Sequence, residues 1–304
     1  MMTGLVLKST GSWYEVLAED GNRYQCRVRG KLRIRDTKTT NPVAVGDQVE
    51  LDPEDTSQAI ITDVLPRENY IIRQSVHKKG HAHILASNLD QAVLIVTLSY
   101  PRTSLGFIDR FLVSAESFRI PQVLIFNKVD LLNEKEKRKM EHFIEMYEKI
   151  GVKCLRTSAK SQEGIEQFRA ILAHKKSLIA GHSGVGKSTL INLLSPEIEQ
   201  KTGEVSDFAN KGIHTTTFAE MFQLENETFI IDTPGIKELA LVEIPPEELG
   251  DYFPEIRVLR GSCKFNNCLH LREPGCAVKQ ALEDGDINPL RFKSYLSMLD
   301  GDED

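Results

Sequence analysis

Gly181-His182-Ser183-Gly184-Val185-Gly186-Lys187-Ser188 is the stretch that decides the fold of this chain. It follows the short apolar run Leu178–Ala180 and precedes a segment of helical character. A strand, a glycine-rich turn ending in Lys-Ser and a helix together form a phosphate-binding loop. Glycines let backbone N–H groups turn towards phosphate oxygens, and the helix N-terminus attracts negative charge. The stretch therefore predicts an α/β domain that binds a nucleoside triphosphate.

Two further positions extend the phosphate site. Lys187 is expected to reach the β- and γ-phosphates, and the Ser188 hydroxyl is expected to bind Mg²⁺. Asp232-Thr233-Pro234-Gly235 follows an apolar run, where a carboxylate that holds Mg²⁺ directly or through water belongs. Gly235 has no Cβ, so its N–H can approach the γ-phosphate closely.

The identity of the nucleotide base is predicted from the motif Asn127-Lys128-Val129-Asp130, which follows the apolar run Val123–Phe126. A carboxylate at Asp130 can accept hydrogen bonds from both N1–H and the exocyclic amine of guanine. Adenine offers an acceptor there instead, so a buried unpaired carboxylate would reject ATP. Lys128 can lay its alkyl stem on the base plane. Ser158-Ala159-Lys160, at the end of another predicted strand, can offer a backbone N–H to the guanine O6.

These motifs occur in an unusual order, because both base motifs precede the phosphate loop. In an ordinary small GTPase the phosphate loop comes first, so the order predicts a circular permutation. It also makes the segment after Asp232 run directly into the C-terminal part of the chain. The residues expected to contact the nucleotide are Asn127, Lys128, Asp130, Ser158, Ala159, Lys160, Gly181, His182, Ser183, Gly184, Val185, Gly186, Lys187, Ser188 and Thr189.

The segment from Lys211 to Thr217 occupies the place of the first switch. A threonine hydroxyl there completes the Mg²⁺ shell when the γ-phosphate is present, and the sequence leaves Thr215 and Thr216 as alternatives. Many GTPases carry a glutamine after the Asp-x-x-Gly motif to orient the attacking water, but this chain has Ile236. His214 is the nearest polar candidate. The predicted catalytic set is therefore His214, Lys187 and Gly235.

A zinc site is predicted near the C-terminus, where Cys263, Cys268, His270 and Cys276 lie within fourteen residues. Three thiolates and one imidazole form a tetrahedral zinc set, and no further polar ligand suggests an open coordination position. We therefore expect a structural ion that holds a short domain together. The other two cysteines, Cys26 and Cys154, lie in predicted strands and are expected to be small buried residues.

The N-terminal part is predicted to be a small β-barrel of the OB type, because about five short strands separated by turn signals precede residue 65. Four basic residues of its long loop are the candidates for RNA binding: Lys31, Arg33, Arg35 and Lys38. Alternating strands and helices follow from Ala92, which predicts a mostly parallel sheet covered on both faces. The expected domains are residues 1–68, 69–242 (with 69–88 as a connector) and a helical zinc domain at 243–304. Three histidines in the connector lack a thiolate or carboxylate nearby, so no metal is expected there.

The composition of the chain limits which partners and which cellular compartment it is compatible with. The 304 residues carry a net charge of -6, but residues 23–38 hold seven basic side chains against one acidic, so a local nucleic-acid contact is compatible with overall acidity. No apolar run reaches about 18 residues and the start does not resemble a signal peptide, which predicts neither a membrane span nor export. Five cysteines, three of them clustered, indicate metal binding in a reducing cytoplasm.

Together these motifs resemble those of the circularly permuted, ribosome-small-subunit-dependent GTPase A family of bacteria, over nearly the whole chain. The resemblance implies a barrel, a permuted GTPase domain and a zinc domain. It implies a partner, the small ribosomal subunit with its 16S rRNA, a role late in its maturation, and hydrolysis of GTP that the subunit stimulates. It also implies a switch histidine at His214. Nothing in the sequence demands more than a monomer.

Two other classes of function stay open at this point. The chain could be a signalling or transport-associated GTPase with a protein partner, against which the basic barrel loop argues. It could also be a nucleic-acid-binding module that only senses nucleotide, which measurable hydrolysis would exclude. In the favoured hypothesis, loss of the γ-phosphate moves the zinc domain through the covalent link after the second switch.

Overall fold

The computed structural model describes residues 2–30, 41–74, 82–194, 219–225, 227–232 and 244–301. The described part contains thirteen strands and eight α-helices, with short 3-10 turns at Val129–Leu131 and Gly250–Tyr252. It holds no helix that is both long and apolar enough to cross a membrane.

Five strands form the N-terminal barrel: β1 (Met2–Ser9), β2 (Tyr14–Ala18), β3 (Arg23–Val28), β4 (Gln48–Pro53) and β5 (Gln58–Val64). Their order is β1-β2-β3-β5-β4, and β4 pairs back onto β1 to close the barrel. Side chains along β3 alternate between exposed and buried, as one face of the strand lines the core. The predicted OB-type barrel is confirmed.

The stretch expected to be a connector contains two paired strands, β6 (Tyr70–Gln74) and β7 (Ala82–Ser87). Ile71, Ile84 and Ala86 in this pair are at most 2% exposed. The segment is therefore a strand pair with a buried apolar side. In β7, the apolar residues Ala82, Ile84 and Ala86 fall at every second position, which is the sequence signal for a strand with one buried face.

The second part of the large sheet is α/β. Its strands are β8 (Gln91–Val96), β9 (Gln122–Phe126), β10 (Lys153–Arg156), β11 (Lys176–Ala180), β12 (Glu220–Gln223) and β13 (Phe229–Asp232). The spatial order is β10-β9-β8-β11-β13-β12, with every pairing parallel except β12 with β13. All six residues of β8 are buried, which fits a central strand covered on both faces.

The helices cover this sheet and build the C-terminal domain. In chain order they are α1 (Leu105–Ser117), α2 (Glu134–Lys149), α3 (Ile165–Leu172), α4 (Lys187–Leu194), α5 (Pro246–Leu249), α6 (Pro254–Arg257), α7 (Ala277–Glu283) and α8 (Pro289–Leu299). Apolar residues of α1 and α2 join the core on one face of the sheet, and those of α3 and α4 join the core on the other. This arrangement confirms the predicted α/β architecture.

Barrel and α/β sheet share one core. Leu5 and Leu7 of β1 belong to the same apolar cluster as Leu94 of β8 and Met221 of β12. Strand β1 also pairs with β12 through Lys8 and Glu220, so the barrel is continuous with the sheet. The barrel and the α/β sheet are therefore packed together.

The C-terminal domain packs on α1. Val113 of α1 is fully buried in a cluster with Phe253, Val278 and Tyr295 of that domain. Burial of apolar area of this kind stabilises association by about 25 cal/mol per Å². Helix α1 is thus shared between the sheet and the C-terminal domain.

Candidate nucleotide and zinc sites

The predicted base and phosphate motifs meet at one edge of the sheet. Strands β9, β10 and β11 run parallel, and each ends just before one of the three motifs. The carboxyl ends of parallel strands lie at the same edge, where open α/β sheets bind their ligands. Strand β8 lies between β9 and β11 and contributes a fourth loop to this edge.

Asn127 joins the base motif to the phosphate loop. Its side chain is 3% exposed, and its Nδ2 donates a hydrogen bond to the Val185 carbonyl over 2.8 Å. The Thr157 hydroxyl donates to Asn127 Oδ1 over 3.0 Å, which fixes the orientation of the amide. Gly186 has φ +92°, and a Cβ there would lie 2.5 Å from Asn127 Nδ2. Glycine at this position is therefore required by both backbone conformation and space.

Lys128 reaches across the site. Its backbone lies in the left-handed region with φ 61°. Its Nζ donates to the Gly184 carbonyl over 2.6 Å and to the Tyr100 carbonyl over 2.8 Å. One ammonium thus ties the base motif, the phosphate loop and the loop after β8 together, and the lysine stem is held across the pocket.

Asp130 is presented at the exposed rim of the site. The buried Ser158 hydroxyl donates to Asp130 Oδ1 over 2.6 Å and accepts a hydrogen bond from the Ser161 N–H over 3.1 Å. The serine thus orients the carboxylate from below. The Gln162 amide donates to the Ala159 carbonyl, while Lys160 is exposed beside it. The two base motifs support each other as a single unit.

The phosphate loop has the shape of a cradle. Gly181 has φ +154°, and a Cβ there would lie 2.6 Å from the Ile95 carbonyl oxygen. Val185 is fully buried beneath the loop, so its backbone is anchored while Ser183 and Gly184 stay exposed. Helix α4 begins at Lys187, and Ser188 and Thr189 are exposed in its first turn. These donors fit a triphosphate, and the Ser188 hydroxyl is an oxygen ligand of the kind Mg²⁺ prefers.

Several predicted residues lie outside the described part of the chain. They are His214, Thr215, Thr216, Gly235, Lys31, Arg33, Arg35 and Lys38. Asp232 ends β13, where it pairs in register with Glu220 and lies beside Ile179, but its carboxylate is outside the described part.

The sequence reasoning missed the loop after β8. The Thr97 N–H donates to the Thr103 hydroxyl oxygen over 3.2 Å, and the Thr97 hydroxyl donates to the Pro101 carbonyl, so the loop is closed on itself. Pro101 lies 3.4 Å from the position a Cβ on Gly184 would take. At the start of α1, the Phe107 ring lies 3.8 Å from the His182 ring between centroids, at 33°. The available signal was the position of this loop at the carboxyl end of a buried strand.

The four predicted zinc ligands come together. Their ligand atoms all lie within 4.8 Å of one another. Cys263 Sγ is 4.0 Å from Cys276 Sγ and 3.7 Å from His270 Nδ1, and His270 Nδ1 is 3.4 Å from Cys276 Sγ. Zn–S bonds of about 2.3 Å in a tetrahedron separate two sulfurs by about 3.8 Å, so the group fits zinc.

Protonation equilibria around the ligands also fit a cation. Burial lowers the pKa of His270, which favours the neutral imidazole that binds metals. Burial raises the pKa of the Cys268 thiol to about 12 in the protein without metal, so a cation is needed to hold the thiolate. The Tyr295 hydroxyl donates to the Leu269 carbonyl over 3.0 Å and steadies the ligand loop.

A parallel sheet with a glycine-rich loop at its carboxyl edge, together with the motif order described above, defines a circularly permuted P-loop protein of the GTPase class. Two family models match the chain: the RsgA N-terminal domain over residues 3–61 and the RsgA GTPase over residues 64–242. The chain belongs to the RsgA GTPase family, and its activity is GTP hydrolysis.

Individual relatives match this chain over nearly its full length. The small ribosomal subunit biogenesis GTPase RsgA 2 of Bacteroides thetaiotaomicron is 49% identical over 303 residues, covering 100% of this chain and 98% of the relative. The Cytophaga hutchinsonii protein named small ribosomal subunit biogenesis GTPase RsgA is 50% identical over 300 residues, covering 98% of each chain. The crystal structure of YjeQ from Thermotoga maritima superposes with TM-score 0.80 at 36% identity, covering 98% of this chain and 97% of that one. The crystal structure of YloQ, described as a circularly permuted GTPase, superposes with TM-score 0.77 at 31% sequence identity. The match covers 99% of this chain and 95% of that one.

Proposed function

We propose that this GTPase binds the small ribosomal subunit, assists its late maturation and hydrolyses GTP faster when bound to it. The observation that carries the proposal is sequence identity of 48% to 50%, over 98% or more of the chain, to proteins named for small ribosomal subunit biogenesis. The domains around the GTPase fit that role, because an OB-type barrel offers a surface for nucleic acid. We further propose that the protein works as a monomer in the cytoplasm.

Each nucleotide contact is proposed from the described geometry and the motifs. Asp130 reads the guanine edge, with Lys128 across the base plane and the Ala159 and Lys160 backbone near the O6. The loop from Gly181 to Thr189 surrounds the phosphates, and Lys187 neutralises their charge. When Mg²⁺ is bound, it stabilises the developing negative charge on the phosphates. Ser188 and Asp232, with Thr215 or Thr216, would hold it.

Catalysis requires that water be oriented towards the γ-phosphate. Ile236 cannot do this, because its side chain has no polar group. We propose that His214 takes the role and that Gly235 contributes its backbone N–H at the γ-phosphate. Docking on the subunit would place His214 correctly, which accounts for stimulated turnover.

The contacts with 16S rRNA are proposed to include the basic barrel loop, through Lys31, Arg33, Arg35 and Lys38. Phosphate contacts of this type are salt-dependent because binding releases condensed counterions. Cys263, Cys268, His270 and Cys276 would hold a structural zinc ion. Domain limits of 1–68, 69–242 and 243–304 serve as the working division, with the hairpin β6–β7 placed in the middle unit.

Turnover of GTP with and without purified small subunits tests the function. We expect stimulation of at least about ten-fold, and Lys187→Ala is expected to abolish turnover in both conditions. His214→Ala is expected to lose the stimulated rate while retaining guanine-nucleotide binding. An unstimulated wild-type rate would remove the subunit-dependent function, and equal rates for His214→Ala would remove the histidine assignment.

Co-sedimentation discriminates the remaining possibilities. We expect the protein to pellet with small subunits in a non-hydrolysable GTP analogue and to dissociate in GDP. A salt series should reduce binding steeply if RNA phosphates are contacted. Binding that is insensitive to both nucleotide and salt would favour a protein partner instead.

A further inference from the structure

Arg291 of α8 is a deeply buried charged side chain between the zinc domain and the GTPase domain. It is 1% exposed, and its guanidinium donates to Asp109 of α1 over 2.6 Å and to Glu255 of α6 over 2.7 Å. We call Arg291, Asp109 and Glu255 the Arg291 network. The Tyr147 hydroxyl of α2 donates over 2.9 Å to the same Asp109 oxygen that accepts from Arg291.

The network makes the zinc domain and α1 move together. A buried pair resists separation, because opening it would leave an uncompensated charge in a site of low dielectric. Side-chain exposures of 2% for Arg291 and 1% for Asp109 leave little room for water to replace the lost partner. A displacement of the zinc domain therefore displaces α1.

The first turn of the same helix lies against the phosphate loop. The Phe107 ring packs on the His182 ring with centroids 3.8 Å apart and ring planes tilted by 33°. The loop before this helix also contacts the site, because Pro101 lies beside Gly184 and the Tyr100 carbonyl accepts a hydrogen bond from Lys128. Phe107 and Asp109 are two residues apart, about 3 Å along the helix axis at 1.5 Å per residue. The phosphate-loop contact and the zinc-domain contact thus share one helical turn.

We propose that α1 carries the position of the zinc domain to the phosphate loop, with Phe107 as the positioning residue and the Arg291 network as its input. This inference rests on the proposed function for the source of the signal, since the small subunit is what would shift the zinc domain. A shift of α1 changes the packing of Phe107 on His182 and so the shape of the cradle. Nucleotide release is the step this contact controls.

A double-variant cycle on GDP release from the free, zinc-loaded, full-length protein tests the inference. A fluorescent GDP analogue is displaced by excess GDP from wild type, Phe107→Leu, Arg291→Lys and the double variant. Phe107→Leu keeps an apolar side chain but loses the ring face, and Arg291→Lys keeps the charge but loses the fork that bonds both carboxylates. We expect about five-fold faster release for Phe107→Leu and about three-fold for Arg291→Lys (non-additivity being the measure of coupling).

The decisive value is the rate of the double variant. If the network acts through Phe107, the double variant releases GDP at the rate of Phe107→Leu alone, because the contact that transmits the change is already lost. Independent effects would multiply, as they do for side chains with different partners. A multiplied rate, or release from Arg291→Lys within about two-fold of wild type, overturns the inference.

Two matched controls separate coupling from general loosening. Phe118→Leu makes the same change at the other end of α1, where the ring lies against Tyr70 rather than the phosphate loop. Arg257→Gln removes an exposed ion pair between the zinc domain and Glu116 of α1. Both are expected to release GDP at the wild-type rate, and faster release from either contradicts the assigned route.

Zinc content and circular dichroism establish that each variant is folded. If Arg291→Lys loses zinc, Glu255→Gln replaces it in the cycle, because Arg291 then keeps Asp109 as a partner. No subunit is present in these measurements. A wild-type protein that small subunits fail to stimulate would end the proposed function, whereas the cycle alone decides the route through α1.

Discussion

Asn127 and Val185, 58 positions apart in the chain, are joined by a 2.8 Å hydrogen bond from the asparagine amide to the valine carbonyl. This bond joins the motif proposed to bind the base to the loop proposed to bind the phosphates. Permutation has reversed their order along the chain without separating them in space. The geometry of the pocket therefore depends on which strands are neighbours, not on the order in which they are synthesised.

The contact between Gly186 and Asn127 gives the first prediction. Gly186→Ala would place a Cβ 2.5 Å from Asn127 Nδ2, so the amide must move away from Val185. We expect GTP affinity to fall by at least about ten-fold, or about 1.4 kcal/mol, in equilibrium titration. Gly261→Ala is the control, because φ is +81° there as well but no atom lies within 4 Å of the new Cβ. Equal nucleotide affinity in the two variants would show that space at Gly186 does not matter.

Base selectivity gives the second prediction. Asp130→Asn replaces a carboxylate, proposed to accept two hydrogen bonds from guanine, with an amide that presents one acceptor and one donor to the edge of the base. We expect GTP affinity to fall by about 100-fold or more and binding of xanthosine triphosphate to improve, since xanthine has a carbonyl in place of the guanine amine. Competition titrations with both nucleotides measure the change. Asp90→Asn, at the opposite end of β11 where the carboxylate bonds the Lys176 N–H, should leave selectivity intact. Unchanged preference for GTP in Asp130→Asn would contradict the assignment of this carboxylate.

Docking of the zinc domain gives the third prediction. Arg291→Met leaves Asp109 and Glu255 buried without a cation, so we expect a loss of about 3–5 kcal/mol in the free energy of unfolding. Arg257→Gln removes the exposed pair with Glu116, for which we expect less than about 1 kcal/mol. Urea denaturation followed by circular dichroism compares the two. A similar small loss for both would mean that the buried network contributes no more than a surface pair.

The metal site gives the fourth prediction. Cys268→Ser removes one of four ligands, and we expect zinc content to fall well below one ion per chain, with loss of helical signal from the C-terminal domain. Elemental analysis and circular dichroism provide the measurements. Cys154→Ser is the matched control, because that half-buried cysteine lies in β10, away from the cluster. Full zinc content in Cys268→Ser would exclude this residue as a ligand.

The fifth prediction concerns pH. Burial raises the pKa of the Cys268 thiol to about 12 without metal, so zinc binding must release protons. The protonated form gains as pH falls, and the apparent zinc affinity should therefore decrease steadily from about pH 8 to about pH 6. Competition with a chromophoric chelator at several pH values measures this slope. An affinity independent of pH would indicate that thiolates do not bind the ion.

Motifs with fixed spacing could be predicted from the sequence. The strand before Gly181 and the strand before Asn127 were identified because a buried apolar run ends at a glycine-rich or polar turn. The cysteine cluster was identified because thiolates and imidazole at that spacing have few other uses. In both cases a short local pattern specifies a ligand.

Contacts between distant elements could not be predicted in the same way. Asp109 stands among the apolar residues of α1, and Arg291 lies in the first turn of the last helix. A carboxylate on an apolar helix face indicates a buried partner but does not say which of many cations it meets. Phe107 reads as one more core residue, and only the strand order brings it to His182. Such pairings are determined by tertiary structure, which local sequence patterns do not specify.

Leu5 and Leu7 of the barrel lie in the same hydrophobic core as Leu94 of the GTPase domain, so the barrel cannot be removed without opening that core. A fragment that lacks residues 1–68 would expose to water the apolar surface that β1 normally covers, so it would tend to aggregate. Loss of activity in such a truncation would report a damaged catalytic scaffold as much as a missing RNA-binding module. Point substitutions on the outer barrel surface are the cleaner way to separate the two roles.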